Sequence, residues 1–90
     1  MGIKGRSTEE LLEERGKIYG DIVSNHTRIA KVWSGITGKE ITPLEVALMM
    51  VGLKAVRAGT TPQHSDNYDD MEGYASISRT IAEAANADTR

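Results

Sequence analysis

Apolar residues recur along the first half of the chain at spacings of three and four residues, the period of an α-helix. The first such stretch follows Ser7 and Glu10, which have the spacing of a capping box, and it ends at Gly20. The second runs from Asp21 to Gly38. Its apolar side carries Ile22, His26, Ile29, Trp33 and Ile36. The pattern therefore predicts two helices, with a break between Gly20 and Asp21.

The third predicted helix has the clearest beginning. Thr42 and Glu45 form another capping box, with Pro43 in the favourable first helical position, and Gly59 is expected to end the helix. Residues 44–56 are apolar on nearly every side. A helix of that kind must be covered on every side. Three other short helices would barely cover it, so we expect self-association as a dimer or tetramer.

A fourth helix is predicted from about Asn67 to about Ala85. No segment has the alternating pattern of a strand or the dipeptide of a hairpin turn. The fold class is therefore predicted to be all-α: a small four-helix bundle completed by homo-oligomerisation. We expect a single domain over residues 1–90, with an ordered core at about 8–85 and short tails at both ends.

Composition narrows the possible functions. The 90 residues include no cysteine, which excludes disulfides and thiolate zinc sites. The net charge of −2, with both signs mixed along the chain, makes nucleic-acid binding an unfavoured function. The longest apolar stretch, residues 46–51, is too short for a membrane span, and the N-terminus lacks the apolar run of a secretory signal. We expect a cytoplasmic protein.

The densest candidate chemistry lies between His64 and Tyr74, at the start of the fourth predicted helix. Asp70 falls on a stripe expected to face the core, and Asp66 lies one turn earlier. A carboxylate directed inward is costly unless a cation, a metal ion or several hydrogen-bond donors meet it. The stripe consists of Asp70, Tyr74, Ile77 and Ile81.

Two interpretations of this cluster remain open. In the first, Asp66 and Asp70 hold Mg²⁺ with help from His64 or Glu45, because Mg²⁺ prefers oxygen ligands and retained waters. In the second, the acids stabilise the helix dipole and Asp70 pairs with Lys54.

Five further residues are candidates for contacting a ligand. Lys54 and Lys17 would face phosphate groups, and Tyr19, Asp21 and His26 would line the site. The structural alternatives are a snorkelling or ion-paired lysine at position 54, a helix–helix corner at residues 17–21, and a core histidine at position 26.

Several motifs, in order and spacing, resemble a family of small, uncharacterised all-α proteins encoded by phages and prophages. The resemblance covers about Leu11 to Ile81 and implies a phage origin without implying an activity. The motifs that carry it are Arg15-x-x-x-Tyr19-Gly20-Asp21, Asn25-His26, Trp33, Ile41-Thr42-Pro43, Val46-Ala47-Leu48-Met49-Met50-x-x-x-Lys54-x-x-Arg57 and His64-x-Asp66-x-x-x-Asp70-x-x-Gly73-Tyr74-Ala75.

A looser resemblance is to MazG-like all-α nucleoside triphosphate pyrophosphohydrolases. Asp70-Met71-Glu72-Gly73-Tyr74-Ala75 is similar to the end of their second metal motif. Where that motif has an acid three residues before Asp70, this chain has Asn67, with Asp66 one place earlier. The resemblance implies associating four-helix chains that bind Mg²⁺ beside a triphosphate.

Two functional hypotheses follow. The first is an Mg²⁺-dependent nucleotide-binding or pyrophosphohydrolase-like protein, in which the metal would activate water for attack on a phosphoryl group. The second is a non-catalytic helical interaction protein that acts on a host or phage partner. The inward-directed acid beside an isolated lysine slightly favours the first.

Overall fold

The computed structural model describes the backbone of residues 8–88 and the side chains of residues 20–85. It contains three helices: α1 over Thr8–Thr37, α2 over Pro43–Thr60 and α3 over Ser65–Asp88. Residues 8–88 contain no strand. The all-α prediction is therefore confirmed. The predicted cap at Ser7 lies outside the described residues.

The predicted four-helix arrangement is wrong, because α1 continues through Gly20 and Asp21. Gly20 does not adopt a positive φ; among the described residues, Gly38 does, at 73°. A glycine inside a helix costs about 1 kcal/mol relative to alanine. A break would instead leave backbone N–H and C=O groups without helical partners at two new helix ends. Continuing the helix is the better solution for this segment.

Local hydrogen bonds close the end of α1 and both ends of α2. Gly38 ends α1, as predicted, and its N–H donates to the Ser34 carbonyl at 2.9 Å. The capping box of Thr42 and Glu45 is present at the start of α2. The prediction for Gly59 is wrong: α2 runs on to Thr60, and the Thr61 N–H closes it on the Arg57 carbonyl.

The core lies mainly between α2 and α3, which are antiparallel neighbours, while α1 contacts α2 more than α3. Small residues dominate the core, which lets the helices approach closely. The buried apolar residues among those described are Ala30, Val46, Ala47, Ala58 and Ile81.

One side of α2 remains uncovered. We call it the α2 apolar face and define it by Leu48, Met49, Leu53 and Val56, whose exposed fractions range from 46% to 70%. These four side chains are exposed in the described part of the chain, and self-association stays a prediction.

None of the helices in the described part of the chain is long and apolar enough to span a membrane.

Candidate functional site

The candidate site is centred on an ion pair between α2 and α3. The Lys54 Nζ lies 2.8 Å from the Asp70 Oδ2, a short, charge-assisted contact. The Lys54 side chain is only 16% exposed, whereas that of Asp70 is 45% exposed. Asp70 is therefore partly exposed and does not face the core as its stripe predicted, and the positive charge beside it comes from a lysine of the same chain.

The antiparallel pairing of α2 and α3 explains why these two residues meet. Only residues 61–64 separate the two helices, so a residue late in α2 faces a residue early in α3. The loop is held by the Tyr68 hydroxyl, which donates to the Pro62 carbonyl at 2.8 Å. The geometry therefore follows from a short loop and its tyrosine anchor.

A second, weaker contact lies at the beginning of α3. The His64 Nε2 is 3.8 Å from the Asp66 Oδ2, and both side chains are well exposed, at 61% and 75%. Exposed pairs of this kind contribute little to stability. His64 and Asp66 are close together, but they point into solvent.

Glu45 is not brought to this cluster. Its carboxylate accepts hydrogen bonds from the Thr42 N–H at 2.9 Å and the Thr42 hydroxyl at 3.2 Å, which places it at the start of α2. Lys54 lies nine residues further along the same helix, or about 13 Å at the α-helical rise. Within the described part of the chain, no three His, Asp or Glu residues form a group that could hold a metal ion.

Of the four ligand candidates on α1, two have described side chains and two do not. The side chains of Lys17 and Tyr19 lie outside the described set, so their roles stay predictions. Asp21 is exposed in the middle of α1 and does not cap a helix there. His26 is buried, and its Nδ1 lies 2.9 Å from the Ile22 carbonyl oxygen, as expected for a core histidine with a satisfied ring nitrogen.

Sequence reasoning missed the burial of two polar residues of α3. Asn67 and Ser78 are nearly inaccessible, and the Ser78 hydroxyl donates to the Tyr74 carbonyl at 2.8 Å. Both lie on a stripe with 4-3-4-3 spacing, which a search that admitted polar residues to the core would have found. That stripe consists of Asn67, Met71, Tyr74, Ser78 and Ile81.

An open groove of about 240 Å³ runs beside the ion pair along α3. Its lining combines carboxylates at one end with an aromatic ring and an aliphatic side chain at the other. The residues that line it are Asp69, Asp70, Gly73, Tyr74 and Ile77. The groove is shallow, and Lys54 reaches it through its contact with Asp70.

Known proteins place the chain among phage proteins. It is 40% identical over 78 residues to the Gene 55 protein of Mycobacterium phage L5, covering 86% of this chain and 50% of that protein. It is also 40% identical over 70 residues to the Gene 55 protein of Mycobacterium phage D29, covering 78% of this chain and 46% of that protein. The chain thus spans about half the length of these curated relatives.

No solved structure matches the chain. The predicted relation to a phage protein family is confirmed, whereas the MazG-like resemblance has no counterpart in these matches and stays a prediction. A family model described as "Domain of unknown function (DUF6378)" matches residues 5–82. The chain therefore belongs to the DUF6378 family.

Proposed function

We propose that this chain is a non-catalytic helical interaction protein that works in the cytoplasm of an infected cell. The observation that carries the proposal is the α2 apolar face. Leu48, Met49, Leu53 and Val56 point to solvent on the same helix whose opposite side forms the core. Contiguous exposed apolar surface on a small protein usually marks a site of macromolecular contact.

The state of Asp70 supports the same proposal. Its Oδ2 contacts the Lys54 amine, so the acid best placed for metal chemistry already has a partner within the chain. A largely buried lysine paired with a carboxylate is a sufficient structural reason for both residues. Asp70 of the acidic cluster then helps to join α2 to α3, and the α2 apolar face is the surface that binds the partner.

Site-specific photo-crosslinking in cells tests this function. A photoreactive amino acid at Leu53, on the α2 apolar face, should give a discrete protein adduct. The same amino acid at Glu72, which is exposed on α3, is the matched control. Absence of any adduct at position 53, or equal adducts at both positions, would contradict the proposal.

A second candidate function is nucleotide binding with Mg²⁺, and the groove beside Asp70 favours it. Asp66 and Asp70 would hold the metal with His64, and Lys54 would face the phosphates. The fit is incomplete, because Lys54 occupies Asp70 and the described residues do not bring a third ligand to the cluster. The described residues therefore do not supply a complete metal site for a catalytic step.

Thermal denaturation with Mg²⁺ or Mn²⁺ and each nucleoside triphosphate tests the second candidate. A ligand at 100 times its Kd would stabilise the fold by about 2.7 kcal/mol. Asp70→Asn should abolish that shift if the acid binds the metal. No shift with any nucleotide, together with no release of pyrophosphate, would reject this candidate and leave the first standing.

A further inference from the structure

The α2 apolar face has a defined order along the helix. Met49 and Val56 are seven residues apart, or two helical turns, so they lie on nearly the same line. Leu48 and Leu53 lie on opposite flanks of that line, and Gly52 lies between them. The face is therefore a two-turn apolar strip with a small residue at its centre.

The charged residues mark the two ends of the strip. Glu45 is exposed at the N-terminal end of α2 and Arg57 is exposed towards the C-terminal end. Lys54, the only other charged residue between them in the sequence, is turned away towards Asp70. The strip is thus negative at one end, positive at the other and uncharged between.

We infer that the α2 apolar face binds α2 of a second copy of this chain in an antiparallel orientation. The two-fold axis would pass between Gly52 and Leu53, so that Met49 of each copy packs against Val56 of the other. This inference rests on the proposed function, since it names the partner of the same surface. A two-fold interface requires a self-complementary surface, and a strip with opposite charges at its ends meets that requirement only when antiparallel.

The charges favour this orientation over the parallel one. In the antiparallel pair, Glu45 of each copy lies within about one helical turn of Arg57 of the other. In a parallel pair, glutamate would face glutamate and arginine would face arginine. The Glu45 hydrogen bonds to Thr42 use Oε1, which leaves Oε2 for the second copy.

Gly52 fits the crossing point of such a pair. A Cβ built on Gly52 would have no atom within 4 Å, so packing inside the chain does not require glycine there. Glycine also weakens a helix relative to alanine. A residue without a side chain at the centre of the strip does allow a second helix to approach closely.

Introducing opposite charges at positions 49 and 56 tests both the identity of the partner and the orientation of the two helices. Met49→Glu and Val56→Lys should each raise the dimer dissociation constant at least about tenfold, measured by analytical ultracentrifugation, since each places one charge against an apolar residue. The double variant M49E/V56K should restore the dimer, because the introduced carboxylate of each copy then faces the introduced ammonium group of the other. Within one chain these positions are two turns apart, so the restoration reports contact between copies.

The controls separate association from folding and from other partners. Arg79→Glu, exposed on α3, should leave the dissociation constant unchanged, and circular dichroism should show equal helix content in every variant. A chain that stays monomeric at millimolar concentration, or a dimer indifferent to M49E and V56K, overturns the inference. Loss of the dimer in both single variants without restoration in the double variant overturns the antiparallel register.

The crosslinking experiment at position 53 distinguishes this inference from the function on which it rests. An adduct of twice the 9.8 kDa chain mass supports both. An adduct of any other protein, without the doubled mass, supports an interaction protein and overturns self-association. No adduct overturns both.

Discussion

For single residues, the environment of Lys54 decides how α2 and α3 are joined. A lysine stem can lie along apolar surface while its amine reaches a polar partner, and here the amine ends on the carboxylate of Asp70. The two side chains differ in how well water could replace the partner. Asp70 is 45% exposed and can be hydrated without Lys54, whereas Lys54, at 16%, has little access to water.

This asymmetry gives the first prediction. Asp70→Asn should lower the free energy of unfolding by about 1–2 kcal/mol, because it leaves a largely buried ammonium group without its anionic partner. Lys54→Met should cost less, since methionine fills similar space and the remaining carboxylate is partly hydrated. Urea denaturation of both variants at one protein concentration measures the difference.

The neighbouring pair of His64 and Asp66 is the matched control. It is exposed, and its atoms are 3.8 Å apart. Asp66→Asn should therefore change the free energy of unfolding by no more than about 0.5 kcal/mol. Equal losses from Asp66→Asn and Asp70→Asn would refute the structural importance given to the Lys54–Asp70 contact.

Among the helices, two glycines that look alike in the sequence behave differently. Both Gly20 and Gly38 follow an apolar helical pattern, and the pattern predicts a helix end at each. Gly38 has a φ of 73° and does end α1, whereas Gly20 lies inside α1 without a positive φ. A Cβ would meet no atom within 4 Å at either position. Backbone conformation alone therefore separates them.

The second prediction uses this pair of glycines. Gly20→Ala should raise the free energy of unfolding by about 0.5–1 kcal/mol, because alanine restricts the unfolded chain and fits a helical φ. Gly38→Ala should lower it by about 1–2 kcal/mol, because alanine is strained at positive φ. Thermal unfolding followed by circular dichroism measures both. If Gly20→Ala lowered the free energy of unfolding, that result would favour the predicted break in α1 over a continuous helix.

The connection between α1 and α2 supplies a third prediction. The Ser34 hydroxyl accepts from the Ile41 N–H at 2.8 Å and donates to the Ile41 carbonyl at 3.3 Å. Ser34→Ala removes both bonds and should lower the free energy of unfolding by about 1–2 kcal/mol. It should also speed hydrogen exchange at the Ile41 amide.

The control for Ser34 is another serine in a helix. Ser76 is exposed on α3, so Ser76→Ala should leave both the free energy of unfolding and the exchange at Ile41 nearly unchanged. An unchanged exchange rate at Ile41 in Ser34→Ala would show that this serine does not hold the connection.

In the molecule as a whole, the small core and the exposed apolar side of α2 have a common cause, since one chain buries only part of its apolar surface. The buried apolar set among the described residues is largely alanine, and α2 has one side against α1 and α3 and the other in solvent. A domain of this length buries a modest share of its surface when it folds alone. A second copy on the α2 apolar face would stabilise each chain by mass action.

That coupling is the fourth prediction. The Tm of the wild-type chain should rise by about 3–5 °C for each tenfold increase in protein concentration. Val56→Glu should remove this dependence, because it places a charge in the contact between copies. Scanning calorimetry over a hundredfold concentration range provides the measurement. A wild-type Tm independent of concentration would speak for a stable monomer.

Features that depend on residues close together in the sequence could be predicted from the sequence alone. They include the helical periods, the Thr42–Glu45 capping box, the end of α1 at Gly38 and the relation to phage proteins. Each depends on spacing within a few turns, or on motifs that follow one another along the chain. The pairing of Lys54 with Asp70 was one of the predicted alternatives, although the lysine and not the carboxylate is the more buried partner.

Which partner Asp70 contacts, and which surface stays open, depends on how the helices pack. Either Lys54 or a metal ion shared with Glu45 could have met Asp70. The antiparallel packing of α2 on α3 brings the lysine close and leaves the glutamate at the other end of α2. An all-round apolar α2 likewise does not say which side is covered. The covered side is set by how the neighbouring helices cross α2. The hydrophobic effect depends on the apolar area removed from water and not on the order of residues along the chain.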